Sequence, residues 1–271
     1  MKPLLKVGVI GLGAIGSRLV EILTQEFSDT ARVEFLCDLK KERVAEAKKK
    51  WVPKAESLSW QALVWKADLV IEAASQEIAL PVTKLALQHD KQVLILSVGG
   101  LLRWNGLSFI TQKTKGKLWI PSGALAGIDG LLAANQGKIR RVTLTTRKPL
   151  AGLEGAPYLI KKRISLSRIK KPTLIFEGNA LEAISAFPRN VNVAATLALA
   201  GIGPRKTQVA IYTSPTYRRN QHEVEIEGDF GRIHLTVENL PSKTNPRTSE
   251  LAVLSTLATL KKIFSCVQIG T

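Results

Sequence analysis

The chain holds three histidines, and one of them stands in a pattern that suits proton transfer. Imidazole titrates near neutrality when unperturbed, so it is the economical proton carrier at a reacting amine or alcohol carbon. His89 falls in the polar run 87-LQHDKQ-92 and is expected to face solvent. His234 alternates with Ile233, Leu235 and Val237 and shares a face with Thr236 and Glu238, as an exposed strand residue would. His222 differs. In 222-HEVEIEG-228 it shares its face with Val224 and Ile226, while Glu223, Glu225 and Glu227 take the other. That placement fits either a core histidine with a satisfied ring or a site residue, and spacing alone leaves both open.

A second grouping is 8-GVIGLGAIGSRLVEIL-23. A strand that turns into a helix through Gly11-Leu12-Gly13-Ala14-Ile15-Gly16 presents backbone N–H groups at a helix N-terminus, where partial positive charge suits a pyrophosphate. Gly11 allows the tight turn, Gly13 leaves room for the phosphate, and Gly16 lets the helix approach the strand. The next apolar run, 32-RVEFLCD-38, ends in Asp38, whose carboxylate can accept hydrogen bonds from the adenosine ribose. Strand before, amphipathic helix after and an acid closing the next strand together point to dinucleotide binding. Asp38 favours NAD by repelling a 2′-phosphate. Lys40, Lys41 and Arg43 follow at once and leave NADP open.

Other candidates are less specific. Ala74 in 72-EAAS-75 and Ser97 in 97-SVGG-100 close two later apolar runs. Small residues there leave space for a nicotinamide ring, or serve close packing. In 145-TTRKP-149, Arg147 and Lys148 suit a carboxylate clamp or belong to the basic surface. Asn190 and Asn192 lie at a helix start in 187-FPRNVNVAA-195; one suits an N-cap, the other an amide contact to nicotinamide or substrate.

These residues need elements to position them. Strands are expected at 5–11, 32–38, 68–74 and 92–98, with helices at 14–26, 41–51 and 76–89 between them. Strand and helix in alternation make a Rossmann-type doubly wound parallel sheet, an α/β architecture. Beyond about residue 120 the pattern changes. Strands are expected at 139–148, 173–178, 207–213, 222–228 and 231–238, the last two joined by a hairpin at Gly228-Asp229-Phe230-Gly231. A small-residue helix covers 190–201. A closing helix begins at 245-NPRTSE-250, with Asn245 as N-cap and Pro246 at the first helical position. The expected organisation is a dinucleotide-binding domain over 1–120, a second α+β domain with a mixed, largely antiparallel sheet over 121–244, and a C-terminal helix over 245–271 that packs back on the first domain.

The 271 residues, 45 % apolar, suffice for two modest cores. The longest apolar run, 93-VLILSVGGLL-102, is too short to cross a bilayer, and no secretory leader is expected, so the chain reads as cytoplasmic with no membrane partner. Cys37 and Cys266 show no metal-ligand spacing, and no metal is expected. Lys and Arg number 39 against 22 Asp and Glu. The basic residues are scattered and come without nucleic-acid motifs, so the surplus is read as a solvated surface that draws in anionic substrates and cofactors. A homodimer is expected, because the second sheet has an outer face to cover.

Several stretches in order along nearly the whole chain resemble the L-aspartate dehydrogenase family: the glycine turn, 97-SVGG-100, 122-SGALAGIDGL-131, 145-TTRKP-149, 176-FEGNALEAISAFPRNVNVAATLALAG-201, 222-HEVEIEGDFG-231 and 245-NPRTSE-250. The resemblance implies oxidation of L-aspartate to iminoaspartate with NAD or NADP, and the reverse reductive amination. The imine then yields oxaloacetate and ammonia or feeds NAD biosynthesis. It also places the family's active-site histidine on His222 and its cofactor-contacting positions on Ala126 and Asn192, with Ala124 and Asn190 as near alternatives. Thr248 and Ser249, near the last helix, would offer hydroxyls or N–H groups to an anion. The lysine-rich segment 161-KKRISLSRIKK-171 is not something that chemistry requires. Two other readings stand beside this one: an imine or enamine reductase of similar build, such as a dihydrodipicolinate-reductase-like enzyme, and a non-catalytic NAD-responsive binding protein.

Overall fold

The structure, a computed structural model, describes residues 3–102, 114–188, 192–242 and 249–270. It divides into two compact units, Met1–Pro121 with Thr259–Ser265, and Ser122–Ala258 with Cys266–Thr271.

The first unit is a six-stranded parallel sheet. Its strands are β1 (Leu5–Ile10), β2 (Ala31–Cys37), β3 (Glu56–Ser57), β4 (Leu69–Glu72), β5 (Gln92–Ile95) and β6 (Lys117–Trp119), in spatial order β3-β2-β1-β4-β5-β6. Helices α1 (Ala14–Glu26), α2 (Lys41–Lys50), α3 (Trp60–Lys66) and α4 (Gln76–Gln88) join them. The central strands are the runs VGVI, LVIE and VLI, buried throughout, as strands covered on both faces must be. The order reverses between β1 and β4, and register pairs Ile10 with Cys37 on one side and Glu72 on the other. Ligands of open parallel sheets lie beyond the carboxyl ends of the strands at such a reversal.

The second unit holds a five-stranded mixed sheet in the order β11-β10-β7-β9-β8. Its strands are β7 (Ile139–Pro149), β8 (Thr173–Asn179), β9 (Gln208–Ser214), β10 (Asn220–Gly228) and β11 (Gly231–Asn239). Only β7 and β9 run parallel. Helices α5 (Ile128–Ala134), α6 (Pro157–Lys161), α7 (Ala180–Ala186) and α8 (Asn192–Ala200) belong here. The last helix, α9 (Glu250–Phe264), has its ring Phe264 against Phe27 at 5.1 Å within the first unit.

The structure corrects several expectations. The fifth strand stops at Ile95 and not at residue 98; Val98–Leu101 form a 3-10 turn, which Gly99 and Gly100 accommodate against Gln76. Helix α9 starts at Glu250, because Ser249 pairs as an antiparallel bridge with Pro241 and the Glu250 N–H donates to the Leu240 carbonyl. The expected start at Asn245 and Pro246 lies outside the described residues, as do Asn190 and Thr248. His89 is half-buried under Trp65, ring to ring at 3.7 Å. The short helices α3 and α7 carry signals the periodicity did not reveal: Ser59 accepts from the Ala62 N–H, and Asn179 with Glu182 forms a capping box.

Candidate functional site

In the first unit the glycine turn is built by steric necessity at two positions and by openness at a third. Gly11 has φ +90°, and a Cβ there would lie 2.6 Å from the Ala73 carbonyl oxygen. A Cβ on Gly16 would lie 1.8 Å from the Gly11 carbonyl oxygen. A Cβ on Gly13 would meet nothing within 4 Å. Packing within the chain therefore accounts for Gly11 and Gly16, while the space at Gly13 is left for something else. Helix α1 begins directly after it. Its first turn has no side-chain cap and no acid, so the N–H groups of Gly13, Ala14, Ile15 and Gly16 have no partner within the helix. This is the cradle a pyrophosphate requires.

Asp38 holds that cradle in place. Its Oδ2 accepts from the Leu12 N–H at 2.6 Å and its Oδ1 from the Lys40 N–H at 2.8 Å, with Arg43 Nη1 3.6 Å away. Each oxygen keeps lone pairs for ribose hydroxyls. Leu39 beside it is fully exposed, an apolar surface at the mouth of the site that sequence reasoning missed. Signal for it existed: a leucine breaking a run of acid and lysines.

Glu72 was also missed. It is completely buried at the end of β4. Its Oε1 accepts from the Ala74 N–H at 2.8 Å, the Ser75 N–H at 3.0 Å and the Ser97 hydroxyl at 2.9 Å, and its Oε2 from the Ser97 N–H at 3.0 Å. Ala74 and Ser97, expected only as small residues leaving space, are thus the anchored ends of β4 and β5. Burial pushes the Glu72 carboxyl above its ordinary range, against the pull of the four donors.

In the second unit, alternation along β10 separates two environments. His222, Val224 and Ile226 are buried. Glu223, Glu225 and Glu227 lie on the other face and pair with Arg147, Arg232 and Arg141. Glu223, Glu225 and the exposed His234 come close enough to share one ion, but these arginines already balance the carboxylates. Strand register sets His222 opposite Thr146 on β7, and His222 Nδ1 lies 3.0 Å from the Thr146 hydroxyl. Lys148, two residues on, shares that face and is 7 % exposed. Among the described residues it has no carboxylate partner. Burial lowers the Lys148 ammonium to about 8. Burial, and then the Lys148 charge, lowers the His222 imidazole to about 3, so the ring is neutral at pH 7.

The paired clamp expected of Arg147 and Lys148 does not form, because neighbours on a strand face opposite sides; Arg147 is held by Glu223 Oε2 at 2.6 Å. Ser249 does not offer its hydroxyl proton outward: it donates to Asn239 Oδ1 at 2.6 Å, and Asn239 Nδ2 donates to the Ala124 carbonyl at 3.1 Å. This buried chain secures the turn that carries Ala126, which is exposed between Gly123 at φ +68° and Gly127 at φ +75°. Asn192 opens α8 and is exposed.

A helix start kept open at Gly13, an acid closing β2 and a parallel sheet that reverses beside them are what a dinucleotide demands of a chain, and the first unit is the nucleotide-binding half of an NAD(P)-dependent oxidoreductase. Comparison with known proteins agrees and goes further. Residues 11–121 match the family described as homoserine dehydrogenase, NAD binding domain, and residues 129–263 match aspartate dehydrogenase, C-terminal. The L-aspartate dehydrogenase of Methanosarcina barkeri is 46 % identical over 275 residues, covering 99 % of this chain and 100 % of that one. The L-aspartate dehydrogenase of Bradyrhizobium diazoefficiens is 36 % identical, over 98 % of this chain and 94 % of its own. The crystal structure of aspartate dehydrogenase from Thermotoga maritima superposes with a TM-score of 0.77 at 26 % identity, covering 98 % of this chain and 99 % of that one. The chain belongs to the L-aspartate dehydrogenase family.

Proposed function

We propose that the chain oxidises L-aspartate to iminoaspartate with NAD, accepting NADP as well, through His222 and Lys148. The observation that carries the residue roles is a buried lysine, without a carboxylate partner among the described residues, on the same sheet face as a buried, neutral histidine. A dicarboxylate amine supplies what both lack: a carboxylate for Lys148 and an ammonium proton for His222. Gly11, Gly13, Ala14, Ile15 and Gly16 would hold the pyrophosphate and Asp38 the adenosine ribose, with exposed Leu39 offering apolar surface to the adenine. Ala74 and Ser97 would leave space for the nicotinamide at their strand ends, and Ala126 and Asn192 are the positions that the family resemblance assigns to cofactor contact.

When bound, the nicotinamide supplies the hydride acceptor. The chain's own task is to ready the substrate. The Cα–H bond gives up hydride only when the nitrogen lone pair is free to form the C=N bond, so the ammonium must first lose a proton. His222 Nε2 takes it, which requires that Nδ1–H donate to Thr146 Oγ1. Aspartate and the oxidised cofactor thus give iminoaspartate in its protonated, iminium form, the reduced cofactor and one proton. Water then adds to the imine and ammonia leaves, giving oxaloacetate, or the imine passes on to pyridine nucleotide synthesis. Hydride transfer requires the substrate carbon to sit at near-attack distance from the nicotinamide.

L-aspartate-dependent reduction of NAD and NADP, followed by absorbance, tests the activity. His222→Ala is expected to lower kcat by roughly 100-fold or more with NAD affinity kept; full activity in that variant removes the proton carrier, and no aspartate-dependent reduction in the wild type removes the function. The same proposal has the enzyme acting in the cytoplasm as a homodimer, with sedimentation analysis as the check on assembly. Among the described residues no helix is long and apolar enough to cross a membrane.

A further inference from the structure

We infer that Glu72 is a positioning residue held as a buried carboxylate, and that its charge makes the site favour the oxidised, cationic nicotinamide over the reduced, neutral one. The inference rests on the dinucleotide reading of the glycine turn.

Burial favours the neutral carboxyl; against it, the donor set reaches both oxygens and argues for the ionised form. Three backbone N–H groups can only donate, those of Ala74 and Ser75 onto Oε1 and that of Ser97 onto Oε2, while the Ser97 hydroxyl at Oε1 can donate or accept. An ionised carboxylate accepts fully on both oxygens, whereas protonating either one would leave it a poorer acceptor for the backbone N–H groups already on it. No cation pairs with Glu72 among the described residues, so its charge is balanced by dipoles alone. A buried charge held by dipoles keeps a field that a second charge in a water-poor site will feel.

Position follows from the sheet. Glu72 is the last residue of β4 and pairs with Ile10, immediately before Gly11. Asp38 at the end of β2 assigns the adenosine to one side of the turn. Strands lie about 4.8 Å apart, and β4 and β5 follow β1 on the side away from Asp38, so an extended dinucleotide crossing the turn would carry its nicotinamide toward their ends. These are the two segments, 72–75 and 97, that Glu72 ties together. One side chain therefore fixes the nicotinamide's floor and sets the sign of its field. The oxidised ring carries a positive charge that reduction removes, so the carboxylate stabilises the form that must accept hydride from aspartate.

The test measures dissociation constants for the oxidised and reduced cofactor, by calorimetry and by nicotinamide fluorescence, in wild type, Glu72→Gln and Glu72→Asp. In Glu72→Gln the preference for the oxidised form is expected to fall roughly tenfold, while Glu72→Asp, which keeps the charge but shortens the reach, holds the preference within about twofold of wild type and binds both forms more weakly. Equal weakening of both forms in Glu72→Gln means a structural role only and overturns the inference. Wild type that binds neither form overturns the dinucleotide reading beneath it. Should Glu72→Gln not fold, isotope-edited infrared spectra of the wild type at pH 7 decide: a buried ionised carboxylate is expected, and a protonated carboxyl at Glu72 overturns the inference.

Discussion

Lys148 costs the protein stability. Its ammonium is buried without a carboxylate partner among the described residues, and its pKa falls from 10.5 to about 8. Between those values the unfolded chain binds more protons than the folded one, so stability rises with pH across that window; below about 8 the full cost is present. Lys148→Met is therefore expected to be more stable than wild type at pH 7, by roughly 2–3 kcal/mol, with the gap closing toward pH 10.5. Urea unfolding at pH 7 and pH 10 measures both, and kcat/KM for aspartate should drop at least about 100-fold. A less stable variant at pH 7 would show that the lysine is paired. His222 acts in the same direction at lower pH. Its folded value of about 3 lies below the ordinary 6.5, so stability that is present above 6.5 is lost as pH falls toward 3. On the proposed function, the substrate carboxylate would relieve the cost of burying Lys148.

At the scale of elements, the strand-turn-helix unit separates two kinds of glycine. Gly16→Ala drives a Cβ to 1.8 Å from a backbone oxygen, which neither helix nor turn can yield without losing register. It is expected to lower the melting temperature markedly or to prevent folding. Gly13→Ala puts a methyl into open space, and its melting temperature should stay close to wild type. Its NAD affinity should fall about tenfold or more, because the methyl occupies the phosphate's room. Thermal unfolding with and without NAD separates them; a Gly13→Ala protein with normal affinity would place the phosphate elsewhere. The β7–β10 pair shows the same logic in a sheet. Register puts Thr146 and Lys148 beside His222 and sends Arg147 to the charged face. A slip of one residue would exchange the two sets.

The whole molecule carries a formal charge of +17. Its nucleotide and its substrate are both anions, and a field of that sign concentrates them near the protein. Salt shortens the reach of the field. KM for L-aspartate is expected to rise roughly threefold between about 20 and about 300 mM salt while kcat changes little. Initial rates over that range check it, and a flat KM would mean that the long-range field plays no part in substrate binding.

Local pattern determined a good deal of this protein. Periods of two and of 3.6, punctuated by glycine, mark the strands and main helices of both sheets, because burial of one face imposes those periods on the residues themselves. The glycine turn and Asp38 are legible for the same reason: backbone geometry demands particular residue types at particular spacings. The alternation in 222–228 likewise announced which side His222 would face. Other features came only with tertiary structure. Glu72 sits among small apolar residues, and nothing in 72-EAAS-75 says that four donors from two strands meet on it. Arg147 and Lys148 look interchangeable in a row, yet pleating and register give one an ion pair and bury the other, with no carboxylate partner among the described residues. Ser249 and Asn239 lie ten residues apart, and the turn they secure is more than a hundred residues away. Side-chain chemistry is written in the sequence; burial and partnership, which set charge state and role, exist only once distant segments are packed together.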